Sequence, residues 1–221
     1  MSIARQRMDF DVKEFNRFLV EKGYDLIHQK MILCSCKLDD GQNITSCEYC
    51  NGTGYRYLED GKRIKAIMTS INKDTSATES GIYSTGLVNI TTLASSRLGF
   101  LDKLTLTDGK FIYNEVISNT NKIPKLRYTV LDVESVVGLH KIYVKEVDYN
   151  IINGAFTWLK PILEAYSIRY ITYPVFIVLN FPNIIRGTTL KWKTPNLVYA
   201  ELPVRATAKL EFKMTDGDYQ I

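Results

Sequence analysis

Four cysteines stand within seventeen residues of this chain, as Cys34-Ser35-Cys36 and Cys47-Glu48-Tyr49-Cys50, and they are all the cysteines it has. The second pair runs into Asn51-Gly52-Thr53-Gly54, so the whole string reads C-x-C-x10-C-x2-C-x-G-x-G. Four thiolates converging on one point make a closed, tetrahedral Zn²⁺ site, which stabilises a small fold and leaves no position open for a substrate. Cys34, Cys36, Cys47 and Cys50 are therefore the expected ligands of a structural zinc ion. The glycines after Cys50 fit a knuckle, where the backbone turns tightly and turns its N–H groups toward the sulfurs. Disulfides are the competing reading, with three possible pairings. In a reducing compartment, clustering of this kind favours metal. The first pair has one intervening residue instead of two, so it cannot form the usual knuckle. Loss of any one cysteine is expected to release the metal and melt residues 31–58.

Other chemistry is sparse. The two histidines, His28 and His140, lie in neither a serine-nucleophile nor a zincin pattern. Gly61-Lys62 lacks the upstream glycine of a phosphate loop, and no G-x-G-x-x-G occurs. His28 is close enough in sequence to serve as a metal ligand, but four cysteines already fill a tetrahedron, and a partly exposed strand position is the better reading. Asp39 and Asp40 read as a solvated turn in preference to a paired acid/base site. No catalytic residues are expected, and the chain does not read as an enzyme.

A helix and two short strands would position the cysteines. Asp11 and Glu14 have capping-box spacing, and Phe10 and Phe15 that of a hydrophobic staple. Val12, Phe15, Phe18 and Leu19 form an apolar stripe at helical spacing, closed by Lys22-Gly23. The stripe is expected to pack on the body of the same subunit, with docking to a neighbouring subunit as the alternative. Residues 24–33 alternate as a strand entering the cysteine loop, and Tyr55–Leu58 leads out of it. A loop this small has almost no core, so metal binding would supply most of its folding free energy.

From Lys65 onward the pattern is β. Expected strands are Ala66–Ile71, Leu87–Leu93, Leu101–Thr107, Phe111–Ile117, Lys125–Leu131, Lys141–Val144, Ser167–Thr172 and Val175–Asn180. Asp108-Gly109 reads as a hairpin turn into Phe111, and Asn153-Gly154 as another between Tyr149–Ile152 and Ala155–Leu159. The alternating run Val204–Lys213 would close the sheet. The expectation is a mainly β protein, an antiparallel sandwich or barrel with an N-terminal helix and a small zinc-ribbon insertion. Its predicted divisions are residues 1–23 (tail and helix), 24–62 (ribbon-like module) and 63–221 (β body).

With 221 residues, the chain is long enough for one main domain plus an appendage. Its net charge of +4 is mild for a nucleic-acid binder. The basic character is localised: Arg186, Lys191, Lys193, Arg205, Lys209 and Lys213 stand against Glu201 and Glu211 in residues 184–213. These six cations make a solvated strand face or a surface for DNA or an acidic partner. The N-terminus MSIARQRMDF shows no apolar signal region, and the longest apolar run, Val175–Leu179, is too short to span a bilayer. The expectation is a protein made and kept in a reducing cytoplasm, without a membrane partner.

Two resemblances follow from particular stretches of the sequence. CEYCNGTGYRY is similar to the C-x-x-C-x-G-x-G knuckle of DnaJ-type chaperones, although one half-repeat is present and no J-domain pattern appears. The second resemblance rests on Val147–Leu159 (VDYNIINGAFTWL), Tyr170–Thr188 and Leu202–Phe212, together with a cysteine knuckle preceding a β domain. In these the chain resembles the neck proteins of tailed bacteriophages. The resemblance implies a structural virion protein, a head-closure, adaptor or tail ring that connects portal to tail and lines or seals the DNA channel. It also implies a homo-oligomeric ring, commonly of twelve copies, with the portal and other neck or tail proteins as partners and non-specific contact with packaged DNA. Location in the virion, after synthesis in the host bacterial cytoplasm, would follow. The alternative is a zinc-ribbon nucleic-acid-binding regulator.

Overall fold

The computed structural model describes residues 12–36, 44–50, 52–70, 86–118, 123–124, 126–160, 162, 164–182, 187–191 and 197–211. Helix α1 (Val12–Lys22) leads into β1 (Tyr24–Gln29), β2 (Met31–Leu33), β3 (Tyr55–Tyr57), β4 (Lys62–Ser70) and β5 (Leu87–Thr92). After a 3₁₀ turn at Ala94–Ser96 come β6 (Lys103–Leu106), β7 (Phe111–Ile117), β8 (Asp132–Gly138) and β9 (Ile142–Tyr143). The chain continues through β10 (Tyr149–Ile152), β11 (Ala155–Trp158), β12 (Tyr166–Thr172) and β13 (Val175–Asn180). It ends in β14 (Gly187–Lys191), β15 (Leu197–Glu201) and β16 (Val204–Leu210). The described residues are thus mainly β with an N-terminal α-helix, as the sequence predicts. Among the described residues, no helix is long and apolar enough to cross a membrane.

The chain divides into two units: Met1–Leu104 with Phe176–Leu210, and Thr105–Val175 with Glu211–Ile221. The first is built on a closed antiparallel barrel in the order β1-β4-β5-β16-β13-β6. Alternation along each strand turns one set of side chains inward. Leu26, Ile64, Ala66, Ile90, Leu104, Phe176, Val178, Ala206 and Ala208 are the buried set. Six strands enclose a narrow interior, so three of these positions are alanine, facing larger partners such as Ile90, which registers with Ala206. The run from Val204 does close the sheet, because β16 pairs with β5 on one side and β13 on the other. Strand β1 pairs with β4 in this barrel, so the ribbon proper is confined to β2, β3 and the loop between them.

Helix α1 buries Val12 and Leu19 and half-buries Phe15, but leaves Phe18 half exposed, so the apolar stripe is narrower than expected. Gly23 ends the helix for a steric reason. Its N–H donates to the Leu19 carbonyl at 2.9 Å, and a Cβ there would run into that carbonyl and into the Ala66 backbone of β4.

The second unit holds a four-stranded sheet, β7-β12-β8-β9, and the hairpin β10-β11. Asn153 (φ 51°) and Gly154 (φ 77°) form the tight turn, both in the left-handed region that a two-residue hairpin of this type requires. The core is aromatic: Tyr113, Tyr149, Phe156, Trp158, Tyr166 and Tyr170 pack with Ile117, Val130, Val136, Ile162 and Ile168. Trp158 meets Tyr166 edge-on with ring centroids 4.8 Å apart, and its Nε1–H donates to the Tyr166 hydroxyl at 3.1 Å. The Tyr170 hydroxyl donates to buried Glu115 at 2.7 Å. Burial, first, and then the neighbouring Glu115 push the Tyr170 hydroxyl well above the usual tyrosine range.

Two strand-level expectations differ from the structure, and one strand is additional. Asp108-Gly109 joins no hairpin, because β6 belongs to the barrel and β7 to the four-stranded sheet. Leu126–Val130 forms no strand; its backbone supports the buried carboxylate and hydroxyl instead. There the Arg127 N–H donates to Glu115 at 3.2 Å and the Tyr128 N–H to the Tyr170 hydroxyl at 3.3 Å. Strand β8 was not expected from the sequence, since DVESVVG fully buries only Val136 and shows no clean alternation.

Candidate metal centre

The four cysteines are brought together by the two arms of the ribbon. Strands β2 and β3 pair antiparallel, with Met31 opposite Tyr57 and Leu33 opposite Tyr55. Just beyond the pairing, the Cys34 N–H donates to the Gly54 carbonyl at 2.8 Å, which ties the first cysteine arm to the end of the second. The Ile44 N–H donates to the Cys36 carbonyl at 3.2 Å and the Cys47 N–H to the Ile44 carbonyl at 3.1 Å. Gly52 (φ 79°) and Gly54 (φ 77°) take the left-handed conformation that the knuckle demands. A Cβ on Gly52 would lie 2.9 Å from the Thr45 carbonyl oxygen.

The result is a cluster of four sulfur atoms all within 4.8 Å of one another. Cys34 and Cys47 have their Sγ atoms 3.8 Å apart, and Cys36 and Cys50 3.3 Å apart. Four thiolates bonded at about 2.3 Å to one tetrahedral ion stand about 3.8 Å from each other. A disulfide would bring a pair to about 2.05 Å. The donor set and spacing therefore fit a single metal ion, which Cys34, Cys36, Cys47 and Cys50 could hold as the sequence predicts. Cys34, Cys47 and Cys50 are buried, and Cys36 is partly exposed. Among the described residues, the ribbon's small interior is these sulfurs with Ile44 against them.

Electrostatics prepare one sulfur for ionisation first. Burial raises the Cys50 thiol, but hydrogen bonds from the Cys36 thiol, the Gly54 N–H and the other two thiols outweigh it and bring the group down to about 6. Cys36 is correspondingly pushed up to about 12, chiefly by its hydrogen bond to Cys50 and then to Cys34. Once Cys50 is a thiolate, its neighbours gain by keeping their protons and donating to it. A cation at the centre would reverse that balance and favour four thiolates.

His28 is not a metal ligand, nor the partly exposed residue expected from the sequence. It is buried on β1, with Nε2 2.6 Å from Asp102 Oδ2. Asp102 also accepts from the Gly99 N–H at 2.6 Å and, through Oδ1, from the Met31 N–H at 2.9 Å. Met31 is the first residue of β2, so this carboxylate fastens the root of the ribbon to the barrel. Burial alone would raise the Asp102 carboxyl; the hydrogen bonds from His28, Met31 and Gly99 hold it below the usual range instead. The loop carrying it is strained, with Arg97 (φ 48°) and Leu101 (φ 61°) both left-handed without being glycine. Sequence reasoning missed Asp102, because two of its three partners, His28 and Met31, lie about seventy residues away and no local pattern marks them.

Of the six cations expected in residues 184–213, the structure places two side chains. Arg205 and Lys209 are exposed on the outward face of β16. Lys191 lies on β14, while Arg186, Lys193 and Lys213 fall outside the described residues, as do Asp39 and Asp40. Comparison with known proteins adds no identity: no protein-family model matches the chain, and no curated protein matches it.

Proposed function

We propose that this protein is a structural ring subunit of a tailed-bacteriophage neck, a head–tail connector whose ribbon is stapled by zinc. One observation carries the assembly reading, an exposed row, apolar except for Ser167, on the solvent side of the second unit's sheet. Strand register places Val116, Ser167, Val137 and Ile142 side by side across β7, β12, β8 and β9. Val116 is 61 % exposed, Val137 41 % and Ile142 68 %, and Leu139 in the following turn is 77 % exposed. Scattered exposed apolar residues are ordinary, but three aligned across one sheet support a surface for a partner. The sheet's other face is already filled by the aromatic core, so the row is available to a neighbouring subunit. Zinc is the proposed ion because four thiolates in a closed tetrahedron suit it best. Arg205 and Lys209 give β16 two outward cations for phosphate groups of DNA in the channel.

Native mass spectrometry of the purified protein, alone and mixed with the portal of the same phage, tests this. One zinc per chain and a cyclic oligomer are expected. A metal-free chain that stays monomeric in both settings overturns the reading. An Ile142→Asp and Val116→Asp double variant is expected to keep its fold and zinc while losing the ring. Salt-dependent binding of the isolated monomer to duplex DNA, without ring formation, would favour a zinc-ribbon regulator instead.

A further inference from the structure

We infer that the cysteine cluster is an oxidation-sensitive clasp, in which a peroxide couples Cys36 to Cys50 first and so expels the metal. The inference rests on the metal reading above and adds the order of events. Access and distance select the pair. Cys36 is the one partly exposed sulfur ligand, whereas Cys34, Cys47 and Cys50 are 6 %, 9 % and 5 % exposed. Its Sγ lies 3.3 Å from that of Cys50, closer than the 3.8 Å between Cys34 and Cys47. Both short pairs run across the ribbon, from the C-x-C arm to the C-x-x-C arm, and neither lies within one arm.

The chemistry balances with hydrogen peroxide as oxidant. In the metal-loaded ribbon, where the cation would hold all four sulfurs as thiolates, the Cys36 thiolate attacks a peroxide oxygen; an S–O bond forms, the O–O bond breaks and hydroxide leaves. The Cys50 thiolate then attacks the sulfenic sulfur; the S–S bond forms, the S–O bond breaks and a second hydroxide leaves. The two sulfurs have lost the two electrons that peroxide gained. Two of the four ligands are now gone, and a second peroxide acting on Cys34 and Cys47 removes the rest. Because thiolate is the form that binds metal, the oxidised ribbon cannot rebind it until a dithiol reductant reopens both bonds. The ribbon's interior consists mainly of these sulfurs, so the event would change the surface that the ribbon presents.

The test uses the full-length protein loaded with zinc and titrated with hydrogen peroxide beside a chromogenic zinc chelator. At each point free thiols are alkylated and disulfides mapped by mass spectrometry after digestion. The expected result is stoichiometric zinc release with Cys36–Cys50 as the first bond, and recovery of zinc binding after dithiothreitol and fresh zinc. A first bond between Cys47 and Cys50, a first bond between chains, or zinc retained while sulfur passes to sulfinic acid would each overturn the inference. A protein that takes up no zinc at the outset breaks the metal reading instead, and the mapped pairing still decides the order of coupling.

Discussion

The ribbon and the aromatic core of the second unit solve the same problem by opposite means. The core buries six large rings and five aliphatic side chains. The ribbon has a three-residue strand pair and, at its centre, four sulfurs with Ile44. Burial of an aromatic or large aliphatic side chain stabilises by about 1.5–3 kcal/mol, so the core holds itself. Among the described residues of β2 and β3 no side chain is fully buried, and Leu33 is largely exposed. On the proposed reading, the stabilisation there comes from bonds to an ion. One region is specified by shape and the other by ligand chemistry, and they should fail under different insults.

The largest expected effect separates them directly. Chelation of the metal, or Cys47→Ser, removes an interaction worth on the order of 10 kcal/mol in small zinc folds. Residues 31–57 should lose amide-exchange protection while Tyr113, Trp158 and Tyr170 keep theirs. Protection retained by the ribbon in a demonstrably metal-free protein would break the comparison. Trp158→Ala is the converse insult. It should destabilise the aromatic core by about 3–5 kcal/mol in denaturant unfolding, since it deletes a fully buried ring. Zinc content measured by atomic emission should not change.

Asp102 joins the two principles, because one buried carboxylate serves both the barrel and the ribbon root. Asp102→Asn keeps the shape but places an amide where His28, Met31 and Gly99 require an acceptor, and it should cost about 2–3 kcal/mol. The group's folded pKa lies below its unfolded value of about 3.9. Its stabilisation is therefore present above that unfolded value and lost as pH falls through the folded pKa. Acid titration of unfolding should show the wild type losing its advantage over Asp102→Asn below about pH 4. An advantage that stays constant down to the folded pKa would remove Asp102 from its role as the fastening group.

Much of this was legible in the sequence, and the exceptions share a cause. The cysteine cluster, the helix, the Asn153-Gly154 hairpin and the barrel-closing strand from Val204 are written in local spacing. His28 and Asp102, by contrast, pair across about seventy residues, and neither has neighbours that betray burial. Asp108-Gly109 is good turn chemistry, yet which strands pair is decided by where β6 and β7 find partners, not by the turn. Strand β8 was hidden because only Val136 among its residues is fully buried. Gly23 was expected as a helix cap, and the sequence could not show that the approach of β4 is what excludes a side chain there. Local patterns name elements well; long-range pairing and close approach leave little local trace.

The smallest predicted effect compares the same substitution in both regions. Gly52 in the knuckle and Gly154 in the hairpin have φ near +79° and +77°, and a Cβ on either would lie 2.9 Å from a neighbour. Alanine in that conformation costs about 1–2 kcal/mol. At Gly154 the neighbour is the Thr129 methyl, a side-chain atom, and the aromatic core fixes the hairpin independently of its turn. Gly154→Ala should therefore appear as a loss of about 1–2 kcal/mol in unfolding free energy, with zinc affinity unchanged. At Gly52 the neighbour is the Thr45 carbonyl, and that backbone cannot yield without moving Cys47 two residues on. The same strain should be read out as metal affinity, roughly a tenfold weaker Kd in chelator competition. If Gly52→Ala bound zinc as tightly as the wild type, the knuckle would be shaped by more than its ligands, and the ribbon would have to be credited with a fold of its own.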